Sequence, residues 1–137
     1  MKYPLPPYAE YLGMRAQRSA DAELQFILPY SDLVLGRPGY LHGGAIAGLL
    51  ELAAIGAIYE AFGEVEEKII VKPINLTVTF MRGGTNQDTS AAGRVTRIGT
   101  RIANVEAHAW QDDRARPIAS AQLTAMLRRP KQKRDRG

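Results

Sequence analysis

The 137-residue chain contains no cysteine, only two histidines and only one tryptophan. The absence of cysteine excludes disulfide bonds, thiolate metal sites and a cysteine nucleophile. The two histidines, His42 and His108, argue against a histidine-based metal site, because such a site needs several ligands. The first thirteen residues, MKYPLPPYAEYLG, lack the apolar segment of a secretion signal, so we expect a cytoplasmic protein.

Net charge is also small outside the C-terminal end. Residues 128–137 contain six basic residues and one acidic residue, a net charge of +5, so residues 1–127 of the +4 chain carry a net charge of −1. A basic tail without interleaved aromatic residues is typical of a solvated chain end rather than of a nucleic-acid interface. We expect one domain over residues 1–127, a disordered tail over residues 128–137 and no nucleic-acid partner.

One long apolar segment, residues 45–62, raises the question of a membrane span. Its only polar or charged residues are Glu51, Tyr59 and Glu60, and Glu51 lies near its centre. We therefore expect the core helix of a soluble protein that makes no membrane contact. A buried carboxylate costs several kcal/mol unless it is paired, hydrogen-bonded or protonated. Glu51 therefore needs a structural or a functional explanation.

The remaining patterns predict an antiparallel sheet and one long helix, which is an α+β fold. A short helix or turn is expected near Tyr8, and the long helix runs from Gly43 to Phe62. Six strands are predicted over residues 13–19, 22–29, 69–81, 89–98, 101–111 and 117–127. Pro73 places the third strand at an edge or at a bulge. A helix that is apolar all round needs a sheet that curls around it, and Gly48 and Gly56 would let strands approach it closely.

The segment His42-Gly43-Gly44, with Glu51 nine residues after the histidine on an apolar helix, resembles the PaaI-type acyl-CoA thioesterases of the hotdog superfamily. Residues 12–14, 75–82 and 94–101 support the resemblance, which covers roughly residues 11–127. It implies a hotdog fold, in which a six-stranded sheet curls around one central helix. It also implies a homodimer whose two sheets join edge to edge, with a tetramer in many members. The implied activity is hydrolysis of acyl- or aryl-CoA thioesters without a metal or organic cofactor.

Thioester hydrolysis needs donors for the oxyanion and a carboxylate that activates water or attacks the carbonyl. Free backbone N–H groups are expected at Gly43 and Gly44, where the helix dipole also favours negative charge. The resemblance implies that the Gly43 N–H polarises the thioester oxygen. Glu51 is the expected general base or nucleophile, and these two roles stay open. His42 is expected to cap the helix or support the loop, with direct catalytic or substrate contact as the alternative.

The spacing of Gly43 and Glu51 predicts a shared active site. Eight residues of helix separate them by about 12 Å. A reacting carbonyl must lie within about 3 Å of its donors and within one water of its base. One chain therefore cannot supply both groups to the same carbonyl. The resemblance implies that Gly43 of one subunit meets Glu51 of the other at the dimer interface.

The CoA moiety is expected to bind through Arg82, Arg97, Arg101 and Asn75. The alternative for the arginines is that they are solvated charges at the sheet edge. The chain departs from the family at Gly36, where an asparagine is common, and at Pro73, where serine or threonine is common.

Two other functions stay open. A non-catalytic acyl-CoA-binding hotdog protein would share the fold and the ligand. The only feature that favours a hotdog dehydratase or hydratase is Pro38-Gly39 before His42. The position of Glu51 fits this function poorly. Neither the acyl group nor the choice between dimer and tetramer follows from the sequence.

Overall fold

The computed structural model describes residues 4–63 and 69–128. It contains two α-helices, six strands and one short 3-10 turn. In chain order these are α1 (Pro7–Tyr11), β1 (Arg15–Arg18), β2 (Leu24–Leu28), the 3-10 turn (Asp32–Val34), α2 (Gly43–Phe62), β3 (Ile70–Phe80), β4 (Thr89–Ile98), β5 (Ile102–Trp110) and β6 (Ala119–Arg128).

The six strands form one antiparallel sheet in the order β1-β2-β4-β5-β6-β3. Helix α2 packs against one face of this sheet and contacts β4 and β5 most extensively. The predicted α+β architecture is confirmed, and each predicted strand end lies within two residues of the observed one.

Local signals at both ends set the bounds of α2. The His42 side chain accepts a hydrogen bond from the Gly44 N–H and so caps the start of the helix. At the other end Gly63 has φ +61°, a conformation that glycine adopts without strain, and its N–H bonds the Tyr59 carbonyl. The observed range Gly43–Phe62 is the predicted one.

Glycines bring the sheet and the helix unusually close together. A Cβ atom on Gly56 would lie 2.6 Å from the Phe26 ring of β2. A Cβ atom on Gly93 of β4 would lie 2.6 Å from the Ala53 carbonyl oxygen of α2. The expected close approach at Gly56 is confirmed. The expectation that a strand approaches Gly48 is wrong, because the ring of Tyr8 in α1 occupies that position.

The sheet of one chain does not enclose α2. Ala47, Gly48 and Glu51 are only partly buried, although most other side chains of the helix are fully buried. By length and composition α2 could cross a membrane, but half of its apolar window is buried inside the chain, as in a core helix. The predicted all-round burial is therefore incomplete on the side of α2 that carries Glu51.

Strand β3 forms one edge of the sheet, as Pro73 predicted, and a bulge interrupts its pairing between Pro73 and Asn75. Large apolar side chains at this edge are about half exposed, including Ile74 and Phe80. Strand β6 ends at Arg128, the first residue of the predicted tail, and the rest of that tail lies outside the described residues.

Candidate active site

The first turn of α2 leaves one backbone donor free. The N–H groups of Ala45 and Ile46 both bond the His42 carbonyl oxygen, at 3.0 and 3.2 Å. The Gly44 N–H donates to His42 Nδ1 at 2.8 Å. Within the described part of the chain only the Gly43 N–H of this turn has no acceptor. The expectation of two free donors is therefore wrong for Gly44, because the cap formed by His42 uses its N–H.

The free Gly43 N–H lies beside an aromatic ring. A Cβ atom on Gly43 would lie 3.3 Å from Cζ of Phe80, the last residue of β3. Phe80 is about half exposed, so its ring forms a partly open apolar wall next to the donor. A helix N-terminus beside such a wall stabilises negative charge in a region of reduced water access.

Glu51 lines an open cleft of about 220 Å³ between α2 and the N-terminal segment. The other lining residues are almost all apolar: Pro6, Tyr8, Ala9, Met14, Leu52 and Ile55, together with Gly48. The Glu51 side chain makes no hydrogen bond or ion pair within residues 4–63 and 69–128. A half-buried carboxylate that no donor saturates is free to accept a proton or to attack a carbonyl.

Gly43 and Glu51 do not converge within one chain. They belong to the same straight helix and are separated by eight residues, or about 12 Å of rise. The chain therefore presents two candidate halves of a site, a donor beside Phe80 and a carboxylate in the cleft. They would come together only if a second chain supplied the complementary half.

The residues expected to bind CoA do not cluster. Arg82 follows β3 near the start of α2, and its N–H bonds the Ile118 carbonyl. Arg101 lies at the opposite end of the sheet, where its carbonyl accepts from Leu127. Eleven residues of strand length separate these positions, roughly 35 Å.

The other two of these residues also lie apart from Arg82. Arg97 is exposed at the end of the sheet where Arg101 lies, opposite Asn104 in the pairing of β4 with β5. Asn75 is exposed at the bulge in β3, and its side-chain oxygen accepts from the Thr77 hydroxyl. Neither residue has an observed contact with the cleft.

A second group of polar side chains lies away from the cleft; we call Glu23, His108, Trp110 and Arg114 the outer cluster. Arg114 donates two hydrogen bonds to the Glu23 carboxylate at 2.6 and 2.8 Å and a third to His108 Nε2 at 3.0 Å. The Arg114 guanidinium also stacks over the Trp110 ring at 4.4 Å. The His108 ring stacks on the Trp110 ring, with centroids 5.1 Å apart. No pattern in the sequence indicated that Arg114 would lie at the centre of this cluster.

The outer cluster shifts two pKa values downward. Hydrogen bonding from Arg114 lowers the pKa of the Glu23 carboxyl to about 2. Burial lowers the pKa of His108, and the positive charge of Arg114 acts in the same direction. His108 is therefore neutral at pH 7, as its role as acceptor for Arg114 requires.

The comparisons agree with this fold. The thioesterase superfamily profile matches residues 38–118, which include the start of α2 and Glu51. A Chromobacterium violaceum protein of known structure is 31% identical, with a TM-score of 0.69, over 89% of this chain and 83% of that one. No curated protein matches the chain closely enough to count as a relative.

Two further crystal structures share the fold at lower identity. A Bacillus halodurans protein crystallised with CoA has a TM-score of 0.80 at 18% identity, over 93% of this chain and 82% of that one. A phenylacetic acid degradation-related protein from Ralstonia eutropha has a TM-score of 0.74 at 23% identity, over 90% and 92%.

The six-stranded antiparallel sheet packed on one long helix is a hotdog fold. The chain belongs to the thioesterase superfamily. The resemblance to PaaI-type members that its sequence indicated is confirmed.

Sequence reasoning missed two side chains that shape the site. Tyr8 contacts α2 at Gly48, and Phe80 covers Gly43. Residues 12–14 belonged to the resemblance, but no pattern in the sequence indicated that α1 would fold back onto the helix beside Glu51. Phe80 was expected only as one of the apolar residues of β3.

Proposed function

We propose that the protein is an acyl-CoA thioesterase in which Glu51 is the catalytic carboxylate and the Gly43 N–H is the oxyanion donor. The observation that carries this proposal is the unpaired Glu51 carboxylate in a mostly apolar cleft. A structural carboxylate on an apolar helix would be expected to have a hydrogen-bonding partner. The free N–H at the start of the same helix supplies the complementary electrophilic group.

The reaction follows from these two groups. With Glu51 as general base, the carboxylate takes a proton from water as the water oxygen attacks the thioester carbonyl. The carbonyl oxygen becomes negative and accepts from the Gly43 N–H. Collapse of the tetrahedral intermediate breaks the C–S bond, and the CoA thiolate leaves and is protonated. With Glu51 as nucleophile, its carboxylate attacks the carbonyl, the C–S bond breaks and the CoA thiolate leaves, which gives a mixed anhydride. Water then hydrolyses this anhydride to the free acid and regenerates the Glu51 carboxylate.

A homodimer would complete each site. The separation of about 12 Å within one chain supports a site built from Gly43 of one subunit and Glu51 of the other. The exposed apolar edge of β3, with Ile74 and Phe80, suits edge-to-edge pairing of two sheets. Pairing of such dimers into a tetramer stays a prediction.

The CoA group is proposed as the thiol carrier. The presence of CoA in the structurally similar Bacillus halodurans protein supports this choice. Arg82 is the proposed phosphate contact nearest the Gly43 donor, because it directly follows the strand that ends at Phe80. Arg97, Arg101 and Asn75 could contribute only from elsewhere in the assembly, since one chain holds them apart from Arg82.

The first test is thiol release from short, medium and long fatty acyl-CoA, phenylacetyl-CoA and hydroxybenzoyl-CoA. We expect wild-type turnover on at least one of these and a fall on the order of 10²–10⁴ for Glu51→Gln, the range for losing a general base. Circular dichroism must show that both proteins are folded. If no substrate is turned over while acyl-CoA still binds, the proposal of an enzyme is wrong, and the protein is a non-catalytic acyl-CoA-binding protein.

The second test asks whether the site is shared between subunits. Gly43→Pro removes the donor N–H, and proline suits the first helical position after His42, whose backbone is extended (φ −68°, ψ 133°). Glu51→Gln and Gly43→Pro are each expected to be inactive alone. Unfolded and refolded together, they would form mixed dimers with one intact site, which restores about a quarter of wild-type activity by random pairing. No recovery in confirmed mixed dimers would contradict the shared site.

A further inference from the structure

The cleft beside Glu51 is bounded by an aromatic ring that rests on a glycine. Gly48 precedes Glu51 by three residues, so the two lie on the same side of α2. A Cβ atom on Gly48 would lie 2.8 Å from Cε1 of Tyr8 and 2.9 Å from its hydroxyl oxygen. The Tyr8 ring therefore occupies the space that any larger residue at position 48 would fill.

The Tyr8 side chain is only partly buried. Tyr8 is 51% exposed, and its hydroxyl makes no hydrogen bond within the described residues. It belongs to α1, a five-residue helix whose buried residue is Ala9. The ring is thus placed by its contact with Gly48 and not by a polar partner. A side chain in this position can define the wall of a pocket and can be truncated without leaving a buried polar group unpaired.

The volume of the cleft limits what it can hold. An apolar cavity of about 150 Å³ accommodates one benzene ring. Scaled by volume, the 220 Å³ cleft holds roughly eight or nine carbon atoms. Its lining by Met14, Leu52 and Ile55 favours an apolar group over a polar one.

We infer that Tyr8, seated on Gly48, sets the upper size limit of the acyl group at one aromatic ring or an aliphatic chain of about eight carbons. This inference rests on the proposed function, because it takes the cleft beside Glu51 as the acyl-binding site. A longer chain would have to displace the Tyr8 ring from Gly48 or leave its apolar end in solvent, and either lowers the affinity for the longer group. Tyr8 is thereby a specificity-determining residue, and it takes no part in the chemical step.

The test compares kcat/KM for hexanoyl-, octanoyl-, phenylacetyl-, dodecanoyl- and hexadecanoyl-CoA below their critical micelle concentrations. For wild type we expect a sharp fall beyond octanoyl-CoA. Tyr8→Ala opens the wall and is expected to raise the dodecanoyl-to-octanoyl ratio about tenfold or more, the discrimination that a few methylenes provide in an apolar pocket. Tyr11→Ala is the matched control, because Tyr11 lies on the same helix, is 70% exposed and does not line the cleft.

Gly48→Ala tests the contact between the Tyr8 ring and Gly48. The added methyl group collides with the Tyr8 ring and also enters the cleft, so kcat/KM for octanoyl- and phenylacetyl-CoA should fall about tenfold. Combining it with Tyr8→Ala removes the collision and should restore the octanoyl-CoA value. This recovery is the signature of direct contact between the two positions. If the changes in kcat/KM of the two single variants simply add in the double variant, the contact of Tyr8 with Gly48 is contradicted.

Binding separates this inference from the proposed function. The dissociation constants of the same acyl-CoAs are measured by calorimetry for Glu51→Gln with and without Tyr8→Ala. One outcome is that no acyl-CoA is turned over, while binding shows a size limit that Tyr8→Ala relaxes. This outcome would overturn the proposed function and leave the inference standing. An active wild type whose length preference is unchanged by Tyr8→Ala would overturn the inference alone. If Tyr8→Ala does not fold, Tyr8→Leu shortens the wall and is judged by the same ratio.

Discussion

Two half-buried carboxylates in this molecule, Glu23 and Glu51, differ in their hydrogen bonding. Glu23 in the outer cluster accepts two hydrogen bonds from Arg114 and one from Gln25. Glu51 in the cleft has no hydrogen-bond partner within the described residues and is surrounded mostly by apolar side chains. The paired carboxylate is held in its charged form, with its pKa lowered to about 2. The unpaired one keeps its oxygen lone pairs available for a substrate or a water.

The difference extends to the groups around each carboxylate. In the outer cluster every nitrogen of the Arg114 guanidinium is used, and its face lies over Trp110. At the start of α2 one donor, the Gly43 N–H, has no acceptor among residues 4–63 and 69–128. Saturated polar groups stabilise a fold, whereas unsaturated ones at a partly open surface are available for catalysis. The comparison predicts that substitutions in the two regions affect different measurements.

The largest expected effect comes from exchanging each carboxylate for its amide. Glu51→Gln should lower kcat by about 10²–10⁴ and leave the free energy of unfolding nearly unchanged. Glu23→Gln should leave kcat within about twofold, because Glu23 lies outside the proposed site, while weakening its bond to Arg114. Steady-state kinetics and urea unfolding on both variants check the pair. Equal losses of activity would show that the outer cluster takes part in function.

The next largest effect should come from the free donor. Gly43→Pro removes the N–H and should lower kcat by about 10²–10³, the range for losing one oxyanion donor. Gly43→Ala keeps the N–H and makes the same close approach to Phe80 at 3.3 Å, so it controls for steric effects. The ratio of the two kcat values isolates the donor. A ratio near one would remove Gly43 from the mechanism.

The helix cap should have an intermediate effect, mainly on stability. His42→Ala removes the acceptor of the Gly44 N–H and should lower the free energy of unfolding by about 1 kcal/mol. His42→Asn offers a replacement acceptor at the N-cap and should recover most of that loss. Urea unfolding measures both variants. If His42→Asn is as stable as wild type but inactive, His42 contacts the substrate directly and does more than cap the helix.

The contact between Glu23 and Arg114 in the outer cluster should contribute less to the free energy of unfolding. A double-mutant cycle with Glu23→Gln and Arg114→Met is expected to give a coupling of about 0.2–1 kcal/mol, because both side chains are partly exposed to solvent. The free energy of unfolding is the measured quantity. A coupling indistinguishable from zero would mean that this contact orders the surface without stabilising the fold.

The smallest expected effect is a dependence of stability on pH. The pKa of His108 is lowered in the fold, so the unfolded chain binds the proton more readily, and stability falls as pH drops below the usual value of 6.5. The pKa of Glu23 is also lowered, so its contribution is present above 4.5 and is lost as pH falls toward 2. Urea unfolding from pH 7 to pH 2 should show both losses. His108→Gln should flatten the upper part of this profile, and an unchanged slope there would contradict the assignment.

Much of the fold could be predicted from short-range patterns. The bounds of α2 follow from a capping residue at its start and a glycine at its end. The bulge in β3 follows from Pro73, which cannot donate to a sheet ladder. The free Gly43 N–H and the position of Glu51 on the same helix also follow from local geometry.

The contacts that define the surroundings of these groups could not be predicted in the same way. Tyr8 meets Gly48 and Arg114 meets Glu23 across long stretches of chain, the second pair being 91 residues apart. Such pairings depend on how the whole sheet folds, and a single sequence carries no periodic signal for them. The loss of the Gly44 donor was missed for a different reason, since it depends on which way the His42 ring turns.

The sequence by itself determined the chemistry available to this protein: no thiol, only two histidines, one carboxylate in the middle of an apolar helix and a glycine-rich start to that helix. Only the tertiary structure decided which of those groups are left free. Hydrogen-bond saturation and burial arise from neighbours that are distant along the chain. In the part of the chain that the structure describes, they leave Glu51 and the Gly43 N–H unpaired, bind Glu23 to Arg114 and place the Tyr8 ring on Gly48.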